Sequence, residues 1–184
     1  MDKIFVKIIF AAVSDKSILE PLLKVLDKKS VRFWGTKGTA DYLKKKNFSA
    51  TSVVSGFDFD GRVKSLDRET FNRILADRSK KRHLDELERS GVEPFDLVVV
   101  DLYKPDKKNF PESMDIGGQV LIRAAIKNYK NVAVAFDKSS LESLVRELVR
   151  NNRSTALDFR KTQAKKAAKF IADRARSESE LSLL

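Results

Sequence analysis

Short apolar runs alternate along the chain with segments in which hydrophobic residues recur at helical spacing. Val98, Val99 and Val100 are β-branched and flanked by charge, which is typical of a strand buried on both faces. Leucines and an isoleucine at helical spacing predict an amphipathic helix over 16–28. We therefore predict an α/β fold, Rossmann-like and three-layered (α/β/α), with a central, mainly parallel sheet of five strands. The strands are expected at 4–13, 31–34, 51–54, around 98–100 and at 132–136, and the helices at 16–28, 40–46, 69–76, 78–89, 117–128, 139–150 and 157–176.

The stretch 96–128 carries the most informative pattern, a strand followed by a loop and a helix. In open α/β sheets the ligand lies beyond the carboxyl ends of the strands, which is where Asp101 and Tyr103 fall. Gly117 and Gly118 let backbone N–H groups at the next helix start approach a ligand closely. Taken alone, the stretch is explained more simply by a strand, a loop and a capped helix without chemistry.

The charge of the chain is strongly basic, with 37 Lys and Arg residues against 26 Asp and Glu residues, a net +11. A basic surface attracts phosphates, from a nucleotide or from nucleic acid. For most of these basic side chains we favour the simpler interpretation that they lie on solvent-exposed faces of helices.

Several classes of protein are disfavoured by the composition. The absence of Cys excludes disulfides and thiolate chemistry, and the single His83, within a basic run, argues against a His-based metal site or a serine triad. No apolar run is long enough for a bilayer, and the first ten residues lack a signal-peptide layout. We expect a cytoplasmic protein of one domain over 1–184, with 177–184 as a frayed tail.

Polar clusters follow three of the predicted strands, each where a strand gives way to a helix. Such junctions offer hydroxyls, backbone N–H groups and a favourable helix dipole to an anion. Two junctions that carry both hydroxyl and lysine groups, on neighbouring strands, would converge on one phosphate. Arg62 and Lys64 add positive charge nearby, for which a solvated loop is the alternative explanation. The clusters are Ser14-Asp-Lys16, Thr36-Lys-Gly-Thr39, and Asp101 and Tyr103 with Asp115.

Several motifs together resemble one family, the IMP cyclohydrolase domain of the bifunctional purine-biosynthesis enzyme that also carries AICAR transformylase. The resemblance covers residues from about 4 to about 175, without the transformylase half, and it implies a methylglyoxal-synthase-like fold. The longest motif opens on Asp115-Ile-Gly-Gly and continues to Asn128. The others are Ala12-Val-Ser-Asp-Lys16, Thr36-Lys-Gly-Thr-Ala40, Gly61-Arg-Val-Lys-Ser-Leu66 and Asp96-Leu-Val-Val-Val-Asp-Leu-Tyr103.

The resemblance implies a ring closure in which the carboxamide nitrogen of formyl-AICAR attacks the formyl carbon, water leaves and IMP forms. No metal and no organic cofactor is implied. By match to the family, the ribose phosphate would be held by Ser14, Asp15, Lys16, Thr36, Gly38 and Thr39, with Lys37 as a possible addition. Arg62, Lys64 and Ser65 would lie along the base and ribose, and Asp101, Ile116 and Gly117 complete the expected substrate contacts. The positions that match the family's catalytic residues are Lys64, Tyr103, Asp115 and Lys127.

The roles that we assign within this catalytic set are hypotheses. Asp115 would draw a proton from the amide nitrogen, and Lys64 or Tyr103 would stabilise the charge on the formyl oxygen. Lys127 would lie roughly 15 Å from the start of its helix. It would then act at the far end of the nucleotide or across a dimer interface, or it would simply be a helix-end cation that meets the dipole.

The chain also departs from the family's motifs. Asp101 stands where the motif has Asn, and Ala12 stands where it has Ser. These departures leave room for altered substrate contacts or weaker activity. The remaining ones are at Lys37, Asp67 and Arg68.

Other functions remain open from the sequence. A non-catalytic purine-nucleotide-binding or regulatory module on the same scaffold is the main alternative to the cyclohydrolase. Methylglyoxal synthase itself fits poorly because of the phosphate loop and the placement of His83, and nucleic-acid binding rests on charge alone. The family tends to be dimeric, so we expect a homodimer, without a membrane partner. Formyl transfer would need a separate protein, for which a separate AICAR transformylase is a candidate.

Overall fold

The predicted three-layer α/β fold is confirmed by a computed structural model, which describes residues 2–54, 56, 62–63 and 66–182. Within these residues the strands are β1 (Lys3–Phe5), β2 (Ile8–Ala12), β3 (Arg32–Gly35), β4 (Ser49–Ser52), β5 (Leu97–Val100), β6 (Ala133–Ala135) and β7 (Ser154–Ala156). The α-helices are α1 (Glu20–Val25), α2 (Lys37–Lys45), α3 (Arg68–Leu75), α4 (Lys81–Arg89), α5 (Ile116–Lys127), α6 (Lys138–Arg150) and α7 (Leu157–Ser182), with 3₁₀ turns at Lys16–Leu19 and Lys107–Asn109.

In the described part of the chain, five parallel strands form the central sheet in the order β4-β3-β2-β5-β6. The strand order places β2 and β5 side by side at the centre, with Ala12 opposite Val100 at their carboxyl ends. The chain after each of these two strands therefore starts from the same edge of the sheet, where parallel α/β sheets bind ligands.

The two faces of the sheet bury different residues of the same strands, as the period of two requires. Ile9 and Ala11 of β2 pack on one face against residues of α1, α2 and α6. Ile8 and Phe10 pack on the other face against α3, α5 and α7. Because helices cover both faces, all four residues of β5 are buried, in agreement with its apolar sequence.

The run 4–13, predicted as one strand, is divided at Lys7. Its first part, β1, pairs antiparallel with β7 in a separate two-stranded sheet. The buried carboxylate of Asp96 accepts hydrogen bonds from the backbone amides of Lys7 and Ile8, both at 2.8 Å, where β2 begins. Sequence pattern alone does not reveal this long-range contact, so the prediction of one continuous strand was wrong.

The segment 177–184, expected to be a frayed tail, is helical over the part that the structure describes. Helix α7 continues to Ser182, because Glu178 is buried and accepts hydrogen bonds of 2.8 and 3.0 Å from the side-chain amide of Gln119 on α5. Residues 183–184 lie outside the described residues. Although α7 is 26 residues long, neither it nor any other described helix has a stretch apolar enough to cross a membrane.

Candidate active site at the carboxyl edge of the sheet

A cleft of about 790 Å³ opens beyond the carboxyl ends of β2 and β5 and is closed on one side by the start of α5. Its volume is in the range of pockets that hold small molecules. Predicted site residues come to it from five separate parts of the chain. Of those that the structure describes, the ones that line the cleft are Ser14, Thr36, Arg62, Asp101, Tyr103, Asp115, Ile116 and Gly117.

Asp101 joins the two central strands at this edge. Its carboxylate accepts hydrogen bonds from the backbone amide of Ser14, from the Ser14 hydroxyl at 2.7 Å and from the amide of Asp15 at 3.1 Å. The carboxylate therefore occupies N–H and O–H donors that the resemblance assigns to a substrate phosphate.

Asp15 has a structural task of its own. Its carboxylate accepts from the Ser17 hydroxyl at 2.6 Å and the Ser17 amide at 2.9 Å and so caps the 3₁₀ turn Lys16–Leu19. These two hydrogen bonds hold the pKa of the Asp15 carboxyl below its usual value. The residue that caps this turn is thus Asp15.

Lys16 and the start of α2 lie next to each other. The ammonium group of Lys16 donates to the backbone oxygens of Val13 (2.6 Å) and Ser14 (3.1 Å). A Cβ atom on Gly38 would lie 3.9 Å from the same Nζ atom. The cation of the first junction therefore faces the first turn of α2, which adds the positive end of a helix dipole.

Helix α2, predicted over 40–46, begins at Lys37, so most of the predicted polar cluster Thr36-Lys-Gly-Thr39 lies in its first turn. Thr36 is its N-cap but makes no side-chain capping bond; its hydroxyl donates instead to Thr39 Oγ1 at 3.2 Å. Thr39 is fully buried and bonds to both the amide and the oxygen of Val13. Thr39 therefore fixes α2 against the end of β2 and does not reach the cleft itself.

Lys37 does not point into the cleft. Its ammonium group pairs with Asp41 one turn along α2 at 2.6 Å, and this hydrogen bond raises the pKa of Lys37. The lysine side chain is 78% exposed, so the pair is a solvated helix-surface contact.

Asp115 connects the start of α5 to the chain that follows β5. One carboxylate oxygen accepts from the amide of Gly118 at 2.7 Å and caps α5, and the other accepts from the amide of Tyr103 at 3.3 Å. A Cβ atom on Gly118 would lie 2.5 Å from Leu102 Cδ2 and 2.8 Å from the Asp115 carboxylate, so only glycine fits here. Tyr103 is half exposed at the cleft wall.

Arg62 also lines the cleft and forms an exposed ion pair with Glu112. Glu112 was not predicted, and it comes from the loop between β5 and α5. Lys64 and Ser65, the predicted catalytic and substrate-binding residues next to Arg62, lie outside the described residues.

Lys127 is the one described member of the predicted catalytic set that lies away from the cleft. It is exposed at the last residue of α5, about 18 Å along the helix from Asp115. Within one chain it does not meet Asp115 and Tyr103.

Arg174 contacts the site although nothing in the sequence marks it. Its Nη1 atom donates to the backbone oxygen of Tyr103 at 2.5 Å. The two residues are 71 positions apart, and Arg174 is one of several cations on α7, so local patterns could not identify it. Across the described ranges, no three His, Asp or Glu side chains gather as metal ligands would.

Comparison with known proteins agrees with this architecture. The family model of the MGS-like domain matches residues 19–135. The bifunctional purine biosynthesis protein PurH of Clostridium kluyveri is 37% identical over 173 residues, covering 88% of this chain, and that of Prochlorococcus marinus (strain NATL1A) is 38% identical over 148 residues, covering 73%. The chain spans about one third of the length of these curated relatives, 34% and 29% respectively.

A solved structure shows the same fold over nearly the whole chain. The crystal structure of ForH superimposes with a TM-score of 0.77 at 25% identity, covering 96% of this chain and 98% of that one. The resemblance to the bifunctional purine-biosynthesis protein that the motifs indicate is confirmed by the relatives. With the family model matching well over half of its residues, the chain belongs to the MGS-like domain family.

Proposed function

We propose that this chain is an enzyme of purine biosynthesis, an IMP cyclohydrolase that closes formyl-AICAR to IMP with loss of water. The observation that carries the proposal is the meeting of Asp115 and Tyr103 at one wall of a nucleotide-sized cleft, next to the Ser14 loop. The relatives named as bifunctional purine biosynthesis proteins support the same pathway.

In this proposal the phosphate of the ribotide lies toward the loop after β2 and the start of α2, and the base lies toward α5. Lys16 and the positive end of α2 supply positive charge near the expected place of the phosphate. The start of α5, at Ile116 and Gly117, presents helix N–H groups to the expected place of the base. Positive charge beside one end of the cleft and helix N–H groups at the other support a ribotide as the ligand.

The chemistry within the ribotide is intramolecular, so the main task of the protein is to hold the carboxamide nitrogen against the formyl carbon. Asp115 lines the cleft beside Tyr103, and its carboxylate would accept the proton that the amide nitrogen loses. The Tyr103 hydroxyl and Lys64 would donate to the formyl oxygen as charge develops on it. That oxygen leaves as water, and its two protons balance the one lost by the carboxamide nitrogen and the one lost by the formamide nitrogen, which forms the new ring double bond to the formyl carbon.

A second candidate function is the binding of a purine nucleotide without turnover. The observation that favours it is the position of Lys127, which lies outside the cleft of its own chain. If Lys127 is needed for chemistry, it must come from a second copy, which makes a homodimer part of the catalytic proposal. Sedimentation of the purified protein, with and without IMP, tests for that dimer.

The discriminating experiment incubates the full chain with formyl-AICAR, follows the absorbance change and identifies IMP by chromatography. We expect turnover well above the spontaneous rate, and a loss of about 10²–10⁴-fold for Asp115→Asn and Tyr103→Phe. Asp106→Asn, an exposed carboxylate of the same loop, is the matched control and should retain full rate. IMP binding without turnover would establish the second function, and failure to bind IMP would reject both.

A further inference from the structure

The carboxylate of Asp101 is an anion placed among the donors of the Ser14 loop. We infer that Asp101 determines specificity by competing with the phosphate of the ligand, so that this cleft gains little affinity from a phosphomonoester. The inference rests on the proposed function only in taking this loop as the phosphate side of the cleft. It differs from direct substrate binding by Asp101, which would make the residue a positive contributor to affinity.

The donors of the loop already have partners. Asp101 accepts from the Ser14 amide, the Ser14 hydroxyl and the Asp15 amide. The next donor pair, the amide and hydroxyl of Ser17, is held by Asp15. Successive backbone amides in a turn of this kind are the groups that bind phosphate in other proteins. Here they bind carboxylates of the chain itself.

An incoming phosphate meets two obstacles at Asp101. It carries a charge between about −1.5 and −2 near pH 7, so it is repelled by a carboxylate that contacts the same donors. It must also replace hydrogen bonds that the loop already makes. Lys16, whose ammonium group is hydrogen-bonded to Val13 and Ser14, offsets part of the repulsion and leaves binding possible.

Asp101→Asn removes both obstacles while keeping the shape of the side chain. The two carboxylate oxygens of Asp101 accept separately from the backbone amides of Ser14 and Asp15. An asparagine side chain has one acceptor oxygen and one NH₂ donor, so it cannot accept from both backbone amides in this geometry. At least one loop amide is then released to a ligand, and the negative charge is lost. The motif that this chain resembles has Asn at this position.

Calorimetry on the purified full chain tests the inference with IMP, ribose 5-phosphate and inosine as probes. We expect Asp101→Asn to bind IMP and ribose 5-phosphate about tenfold more tightly than the unmodified chain does. The affinity for inosine, which lacks the phosphate, should change less than twofold. Asp106→Asn removes the same charge from a residue outside the cleft lining and should leave all three affinities unchanged.

Unchanged or weaker phosphate binding by a folded Asp101→Asn protein would overturn the inference. Should that variant not fold, Asp101→Ala replaces it, and the unmodified chain gives an independent answer. In that chain the phosphate should improve affinity for IMP over inosine by less than tenfold, and a hundredfold gain would reject the inference. If purines do not bind but ribose 5-phosphate responds to the substitution, the cyclohydrolase proposal fails and the role of Asp101 stands.

Discussion

Arg174 and Tyr103 are joined by a hydrogen bond from the guanidinium Nη1 to the backbone oxygen, 2.5 Å long. The bond connects the last third of α7 to the loop that follows β5. One turn further along α7, Glu178 bonds to Gln119 of α5. The end of α7 therefore holds both segments that contribute the Asp115 and Tyr103 wall of the cleft.

If the chain has the proposed cyclohydrolase activity, we predict that Arg174→Ala lowers the turnover of formyl-AICAR about tenfold, because a small displacement of Tyr103 would move its hydroxyl away from the formyl oxygen. KM should change less than kcat, since the phosphate side of the cleft is not touched. Steady-state kinetics measures both. Arg176→Ala, which alters an exposed arginine of the same helix, is the control. Equal kcat in both variants would show that Arg174 does not position Tyr103.

Gly118→Ala should reduce the free energy of unfolding by about 1–3 kcal/mol. The added methyl would lie 2.5 Å from Leu102 and 2.8 Å from the Asp115 carboxylate, both held in place by packing or hydrogen bonds. Alanine is a better helix former than glycine by about 1 kcal/mol, but this gain does not offset the overlap. Urea denaturation followed by circular dichroism measures the difference.

Gly38→Ala is the matched control for this substitution. It also lies in the first turn of a helix, but its nearest neighbour atoms are the end of the Lys16 side chain at 3.9 Å. Its unfolding free energy should therefore stay equal or rise slightly. Equal stability in the two variants would mean that the region around Gly118 relaxes freely.

The sheet could be predicted from sequence because its signals are local. Only a few neighbouring positions are needed to recognise the β-branched residues of β5 and the helical spacing of 16–28. The polar clusters that follow β2, β3 and β5 converge on one edge of the sheet, as predicted. Asp67, a departure from the family motif, is also explained locally, since it caps α3 by accepting from the amide of Thr70 at 3.0 Å.

The features that the sequence did not predict depend on contacts between distant parts of the chain. The division of 4–13 is set by Asp96, nearly 90 positions away, and by the pairing of β1 with β7. Whether a polar side chain such as Asp101 faces a ligand or the chain itself is likewise a tertiary property. Residue type and spacing are the same in both cases, so sequence identifies Asp101 as a site residue without giving its role.

The ordered end of α7 leads to a prediction about Glu178. Glu178→Ala should lower the free energy of unfolding by about 1–3 kcal/mol, because it removes the acceptor of the partly buried side-chain amide of Gln119. Amide hydrogen exchange in residues 172–182 should also accelerate. Glu180 is an exposed residue on the same helix, and Glu180→Ala should change the free energy of unfolding by no more than about 0.5 kcal/mol. Rapid exchange of this segment in the unmodified chain would contradict an ordered end.

The last prediction concerns pH and the attachment of α2 to α1. Glu20 accepts hydrogen bonds from Lys46 and from the Tyr42 hydroxyl, at the opposite end of α2 from its cleft-facing first turn. The contact with Lys46 first, and then that with Tyr42, lower the pKa of Glu20 from its usual 4.5. The folded chain therefore binds this proton more weakly than the unfolded chain does. The stabilisation is complete above the unfolded pKa and disappears as pH falls through the folded one.

Glu20→Gln should accordingly be less stable than the unmodified chain at pH 7, and the two should converge in stability as the pH falls through the lowered pKa of Glu20. Urea midpoints at a series of pH values measure this, and added salt should reduce the difference at pH 7 because the group is exposed to solvent. Glu142→Gln, which neutralises an exposed carboxylate on α6, controls for the loss of charge alone. A constant gap between Glu20→Gln and the unmodified chain at every pH would show that the contact stabilises through packing and not through its ionised carboxylate.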